Sequence, residues 1–408
     1  MHKSTNKRCK SNGKVARSGR VARSNGIDQT EKARNAARII RTIWKNPLIS
    51  RYEIAERLHL ERSTITHQVN RLLELGLITE ISEGQAGPAG GRKPIHLAIN
   101  KDYGYIIGIE MQVEAYSVVA VNLAGEVLRF KTAEKLITPE HFIQEVLEIA
   151  LNFAEEMGGT ERLIGVGVGM GGIIDSERGL IHYSIPLHLT SPLDFAGAIA
   201  ERTRIPFLIG NDANCCSWGE LAFHKADGLK NFLFTLVQFR SGNVAIQEYG
   251  GVGVGFGIVI DSKVYTGTNF TAGEFRSAYW TDGNRAQFSI PYEEIMTVTK
   301  NPQILERFTR ELARNVALFV NTFNLNKVFI GGDIEAYDLD APAIFAEEIR
   351  HNWMYPTPPA CEATYSTLGE KAVSYGAAGM LLYRIFTSTH LPVDYEGDQD
   401  PLVLSLHL

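Results

Sequence analysis

Residues 50–81, SRYEIAERLHLERSTITHQVNRLLELGLITEI, decide how the first quarter of the chain folds. Ser50 followed three residues later by Glu53 is the pattern of a capping box, in which each side chain satisfies a backbone N–H at a helix start. The helix it opens carries Ile54, Ala55 and Leu58 on one face. After a turn at His59-Leu60, residues 61–73 keep the helical period, with Ile65, Val69, Leu72 and Leu73 as the apolar stripe. Gly76 stops this second helix, and residues 77–81 alternate as a strand. Upstream, Ala36, Ile39, Ile40, Ile43 and Trp44 mark another helix from about Glu31, ended by Asn46-Pro47. Downstream, a Gly/Pro-rich tip from Gly84 to Gly91 leads through Arg92-Lys93-Pro94 to a returning strand at residues 95–99.

Three helices and a hairpin in that order make a winged helix-turn-helix over residues 31–100. The apolar stripe leaves Arg62, Ser63, Thr64, Thr66, His67 and Asn70 facing outward, mostly on the first turns of the second helix of the pair. Base edges in the major groove ask for this set: Arg forks onto guanine, Asn pairs with adenine, and Thr touches a thymine methyl. Arg92 and Lys93, at a small and proline-stiffened wing, suit a narrow minor groove. Each feature alone also fits a solvated polar surface; helix, wing and charge together point to double-stranded DNA.

The charge is polarised. Residues 1–100 hold 19 Lys and Arg against 8 Asp and Glu, whereas the remainder holds 22 against 38. The front end is built to meet a polyanion, and the body to stay clear of it. Residues 1–30, rich in Lys, Arg, Ser, Asn and Gly without hydrophobic period, read as a disordered basic tail that adds phosphate contacts. No apolar run is long enough to span a membrane, so a cytoplasmic protein is expected. Cys9, Cys215, Cys216 and Cys361 form no disulfide framework.

From Tyr105 the texture becomes α/β. Strands are expected at 105–110, 117–122, 163–170, 207–210, 232–237, 255–260 and 327–330, with helices at about 139–157, 193–203, 212–223 and 303–324. Such an alternation predicts a two-lobed body with a ligand cleft. Residues 391–408, acidic at Asp394, Glu396, Asp398 and Asp400, read as a solvated tail.

Several segments of the body resemble the ROK family (repressors, open reading frames and kinases). Asn211-Asp212-Ala213-Asn214, closing with Gly219-Glu220, is similar to its sugar-site motif. The run Gly251–Gly257 looks like its second phosphate loop, and Ala272-Gly273-Glu274 like the start of its Ala-Gly-Glu-Ile-Gly-His segment. Ile330-Gly331-Gly332-Asp333 resembles its adenosine-side loop, and Tyr375-Gly376-Ala377-Ala378 its C-terminal helix. The resemblance implies an actin-like ATPase (ribonuclease H-like) fold over residues 101–390. It also implies a sugar ligand held by Asn211, Asp212 and Glu274. In the family's kinases the residue matching Asp212 is the general base; Asn211-Asp212 also fits a turn with a helix N-cap.

The departures argue against catalysis. Where the kinases carry Asp-Ile-Gly-Gly-Thr, this chain has Gly108-Ile109-Glu110-Met111-Gln112-Val113-Glu114-Ala115, so the glycine pair is lost and Glu114 is expected to place a carboxylate near the phosphates. Ser277 stands at the position of the segment's His, Asp282 and Gln287 at cysteines of the family's zinc cluster, and Ser289 at a sugar-contacting Glu. The expectation is therefore a transcriptional repressor that is not an enzyme and has no cofactor and no metal site. It would bind a palindromic operator as a homodimer or dimer of dimers and answer to a sugar effector. A ligand-independent DNA-binding protein and a sugar kinase are the alternatives.

Overall fold

The computed structural model describes residues 18–81, 95–224, 229–239, 251–389, 391 and 401–406. Arg92, Lys93 and residues 1–17, Cys9 among them, lie outside these. At the front, α1 (Ser18–Lys45), α2 (Arg51–Leu58) and α3 (Arg62–Glu74) pack beside a three-stranded sheet of β1 (Ile49–Ser50), β2 (Ile78–Ile81) and β3 (His96–Ile99), ordered β1-β3-β2. The capping box is present: Glu53 N–H donates to Ser50 Oγ, and Ser50 N–H to Glu53 Oε2. Within α3 the buried stripe is Ile65, Gln68, Val69 and Leu72, with Leu73 only half-buried. Two features depart from the sequence reading. The short strand β1 joins the wing sheet, and α1 begins at Ser18, extending helix into the segment expected as an irregular tail. Helix propagates cheaply from an existing nucleus, and Arg20, Ala22, Arg23 and Gln29 in this stretch are good helix formers.

The body repeats one topology twice. In the first lobe β4 (Tyr105–Met111), β5 (Ala115–Asn122) and β6 (Val127–Glu134) form an antiparallel meander. After α4 (Phe142–Glu156), β7 (Leu163–Met170) returns parallel to β4. A small three-stranded sheet of β8 (Ile173–Asp175), β9 (Leu180–Tyr183) and β10 (Leu193–Asp194), then α5 (Phe195–Ala200), precedes β11 (Phe207–Asn211), which lies parallel to β7. α6 (Asp212–Phe223) follows. In the second lobe β12 (Phe232–Phe239), β13 (Val252–Ile260) and β14 (Lys263–Val264) form the meander. α7 (Tyr292–Ile295) and α8 (Pro302–Phe323) lead to β15 (Lys327–Gly332), then α9 (Ala341–His351) to β16 (Glu362–Tyr365), both strands parallel to β12. α10 (Ala372–Thr387) closes the fold and α11 (Pro401–Leu406) follows it. The sheet orders β11-β7-β4-β5-β6 and β14-β13-β12-β15-β16 are the same pattern written in opposite directions.

The two lobes exchange helices. α6, which follows the last strand of the first lobe, packs on β12 and β13 of the second, whereas α10 packs on β4, β5 and β7 of the first. The helices cross each other where Gly219 faces Gly376 and Gly379. A Cβ on Gly376 would stand 2.2 Å from the carbonyl oxygen of Cys215, and one on Gly108 of β4 would stand 1.9 Å from that of Ser374. Glycine is required there by close approach, not by its dihedral freedom. At its far end α10 meets the three-helix head: Phe386 stacks on Trp44 of α1 with ring centroids 4.9 Å apart. The apolar cluster of α1–α3 continues without a break into α10. Among the described residues no helix is long and apolar enough to cross a membrane.

The close crossing makes Gly376→Ala a test with an inverted sign. Helix propensity alone favours Ala by about 1 kcal/mol, but overpacking against backbone costs about 1–3 kcal/mol. The variant should unfold at lower denaturant than wild type; a raised midpoint would mean that the helices have room to part.

Candidate DNA-reading face and ligand cleft

On the head, Arg62, Ser63, Thr66, His67 and Asn70 are exposed on α3, and Thr64 is half-buried. The set read from the helical period therefore shares one polar face, with Thr64 at its edge. Thr66 Oγ1 donates back to the Arg62 carbonyl at 2.9 Å. The start of α2 adds two residues that the sequence reading missed. Tyr52, 56% exposed, lies under the Arg62 guanidinium at 5.1 Å from ring centre. Arg51 pairs with Glu80 at 2.7 Å and reaches Asn70 Oδ1 at 3.4 Å. The signal for both was their place just after the Ser50 cap, where the first helix of such a pair crosses the DNA backbone.

In the body, a cleft of about 380 Å³ opens between the β11–α6 junction, β13 and residues 274–287. Asn211, Asp212 and Glu274 all line it. Asn211 is the N-cap of α6: its Oδ1 accepts from Asn214 N–H at 3.1 Å, and its Nδ2 donates to the Gly172 carbonyl at 3.1 Å. The capping role thus belongs to Asn211, and Asp212 is the first helical residue, its Oδ1 accepting from Ala213 N–H. A carboxylate in that position gains from the positive end of the helix. Gly273, at φ +96°, brings its carbonyl to Phe256 N–H at 3.0 Å, and a Cβ there would stand 1.9 Å from the Phe256 oxygen. This close approach to β13 is what delivers Glu274 to the cleft. Desolvation, with Asp212 nearby, holds the Glu274 carboxyl above the usual carboxylate range.

The glycine run expected as a phosphate loop is, from Val252 onward, the strand β13. Its glycines make space for α6: a Cβ on Gly257 would meet Ser217 Oγ at 2.0 Å and the Ala213 oxygen at 2.3 Å. The carboxylate of this stretch that is buried is Glu110, whereas Glu114 sits exposed in the β4–β5 turn. Glu110 is fully buried and accepts from Gln112 Nε2 (2.7 Å), Ser117 Oγ (3.1 Å) and Gln238 Nε2 (3.0 Å). The last bond joins β4 of one lobe to β12 of the other. Burial, with repulsion from Asp212 and Asp333, pushes its pKa up to about 7.

The positions where a zinc cluster and two sugar contacts were expected to be lost carry an internal network instead. Gln287 accepts from Val254 N–H and donates to the carbonyls of Val254 and Phe275, stapling the segment to β13. Ser277 Oγ accepts from Asn315 Nδ2, and Ser289 donates to Glu311 through both its N–H and its Oγ. Asp282 is exposed. Among the described residues no group of three or more His, Cys, Asp or Glu is placed to hold a metal.

Comparison with known proteins gives two family matches: ROK family over residues 106–276 and winged helix-turn-helix DNA-binding over residues 34–79. The xylose repressor of Staphylococcus xylosus is 28% identical over 240 residues, 59% of this chain and 59% of that protein. The xylose repressor of Bacillus spizizenii is 25% identical over 393 residues, 87% of this chain and 97% of that protein. Among solved structures, a ROK family transcriptional regulator, homolog of the Escherichia coli MLC protein, superimposes with a TM-score of 0.68 at 19% identity. That match covers 93% of this chain and all of the other, and establishes a shared fold.

Replacing Glu110 by Gln leaves Oε1 to accept from Gln112 and Gln238, turns the Ser117 bond round so that the new amide donates to its Oγ, and removes the titration. Because the folded pKa is raised from 4.5 to about 7, the protonated form binds its proton more tightly when folded. The stability it contributes is present below about pH 4.5 and is lost as pH rises towards 7. Glu110→Gln should therefore gain on wild type across that window, by up to about 1.4 kcal/mol per pH unit. Denaturant melts at pH 5 and pH 8 read this; equal differences at both would refute it.

Proposed function

We infer that this chain, which joins a winged helix-turn-helix to a body matching the ROK family, is a transcriptional repressor of carbohydrate genes whose cleft governs its DNA-reading head. The observation that carries this is continuity. Asn211 of the cleft caps α6, α6 interlocks with α10, and Phe386 of α10 stacks on Trp44 of the head. A ligand that favours one closure of the lobes can thereby shift the head, by as much as its affinity differs between the two states.

In this reading Arg62, Ser63, Thr64, Thr66, His67 and Asn70 read bases, and Arg92 and Lys93 at the wing enter the minor groove. Arg51 and Tyr52 lie beside them. A palindromic operator and a homodimer, or a dimer of dimers, follow from the two-fold pairing such heads use, and the protein acts in the cytoplasm. Asn211, Asp212 and Glu274 hold the hydroxyls of a sugar effector. We read the body as binding without phosphoryl transfer: Gln112 and Gln238 fill the space around Glu110, and three carboxyls there would repel a polyphosphate. A ligand-independent DNA-binding protein is the second reading, favoured by Ser277 and Ser289 being spent on internal partners.

Selection of operator DNA from genomic fragments, followed by footprinting with and without sugars, tests the proposal; protection of no discrete site would overturn it. On the selected site Asn70→Ala should weaken binding by about 1–3 kcal/mol while leaving non-specific affinity unchanged. Phe386→Leu, which keeps apolar volume but loses the ring contact, should bind the operator as wild type does and respond less to the effector. Release of ADP on incubation with ATP, Mg²⁺ and a sugar would restore the kinase alternative.

A further inference from the structure

We propose that the cleft takes an anionic sugar, either a sugar acid or a sugar phosphate, and that Arg276 recognises its charge; this rests on reading the cleft as the effector site. Arg276 is the one cation among the described residues that line the cleft, whose other charged groups are Asp212 and Glu274. It stands two residues beyond Glu274, where the Ala-Gly-Glu-Ile-Gly-His segment carries glycine. The departure thus adds a guanidinium to the wall at the place where the neighbouring His is lost.

Among the described residues Arg276 has no competing partner. Its guanidinium lies 4.3 Å from the Trp280 ring centre, and it makes no hydrogen bond or ion pair among the described residues. The indole orients the guanidinium plane through its π face without engaging the N–H groups. Those N–H groups form a fork matched to a carboxylate or phosphate, and such charge-assisted pairs are the strong ones.

The rest of the cleft sets the orientation of the ligand. Asn211, Asp212 and Glu274 are suited to the hydroxyl end, because carboxylates accept from sugar O–H groups. An anionic group placed among them would be repelled by the carboxylates of Asp212 and Glu274. The charge of the ligand therefore belongs at Arg276. Ser277 and Ser289, turned towards Asn315 and Glu311, no longer offer contacts to a neutral sugar. Arg276 becomes the determinant of specificity: the cleft gives up contacts to a neutral ring and gains one to a charged substituent.

The full-length protein should be titrated calorimetrically with three series: glucose, glucuronate and glucose 6-phosphate; galactose, galacturonate and galactose 6-phosphate; and xylose with xylose 1-phosphate. In at least one series the anionic member should bind about tenfold or more tightly than its neutral parent. Arg276→Ala should abolish that preference while leaving the parent's affinity as it was, and Arg276→Lys should restore part of it. Whether the acid or the phosphate gains identifies the source of the charge. The Arg276 side chain is exposed, so an unchanged melting temperature and operator affinity of the ligand-free variant establish that it folds. A neutral sugar bound as tightly as its charged derivatives, or a preference that survives Arg276→Ala, overturns this proposal and leaves the effector reading standing. If no member of any series binds, both fall.

Discussion

The exchange of α6 and α10 between the lobes is the constraint on which the rest of the molecule depends. Each helix follows the last strand of its own sheet and packs on the other sheet, so neither lobe can bury its core alone. The two helices must then cross within the width of a backbone, which only glycine at Gly219, Gly376 and Gly379 permits. Packing this close has discrete arrangements instead of a continuous range, because interiors are as dense as crystals. A shift at the start of α6 is therefore carried to α10 as a rigid displacement and not absorbed between them.

The same crossing ties chemistry to DNA. The first turn of α6 holds Asn211 and Asp212 at the cleft, and the last turn of α10 holds Phe386 against Trp44. Head and body share one apolar cluster, so the head moves with α10 and not on a loose linker. Between these ends the lobes meet across a buried acid. Glu110 takes amide hydrogens from Gln112 of its own lobe and Gln238 of the other, so one buried carboxyl is shared between them. The two lobes are thus joined at this point by a hydrogen-bonded seam.

Much of the architecture was legible because its elements are strongly periodic. The strand at Leu163–Met170 and the helix at Asp212–Phe223 fall where apolar runs and caps place them. β6 escaped notice because it is an edge strand with most side chains in water, which erases the alternation that marks a strand. β14 and β16 are too short to carry a period. The cleft residues Asn211, Asp212 and Glu274 were found through motif resemblance, and the structure brings all three to one cavity. Glu110 was passed over for Glu114, since sequence order cannot say which carboxylate of a strand and its turn points inward.

What the sequence determined by itself was local and periodic: the capping box at Ser50, the polar face of α3, the polarised charge and the glycine-rich signatures of the body. These depend on neighbours within a few residues, and the chain states them outright. Tertiary structure alone decided what the glycines are for, which carboxylate is buried, and that Ser277, Gln287 and Ser289 are engaged in hydrogen bonds within the body. It also decided that Arg276 enters the cleft and that Phe386 meets Trp44. Those facts rest on contacts between residues far apart in the chain, and no local pattern records which distant partner a side chain will meet.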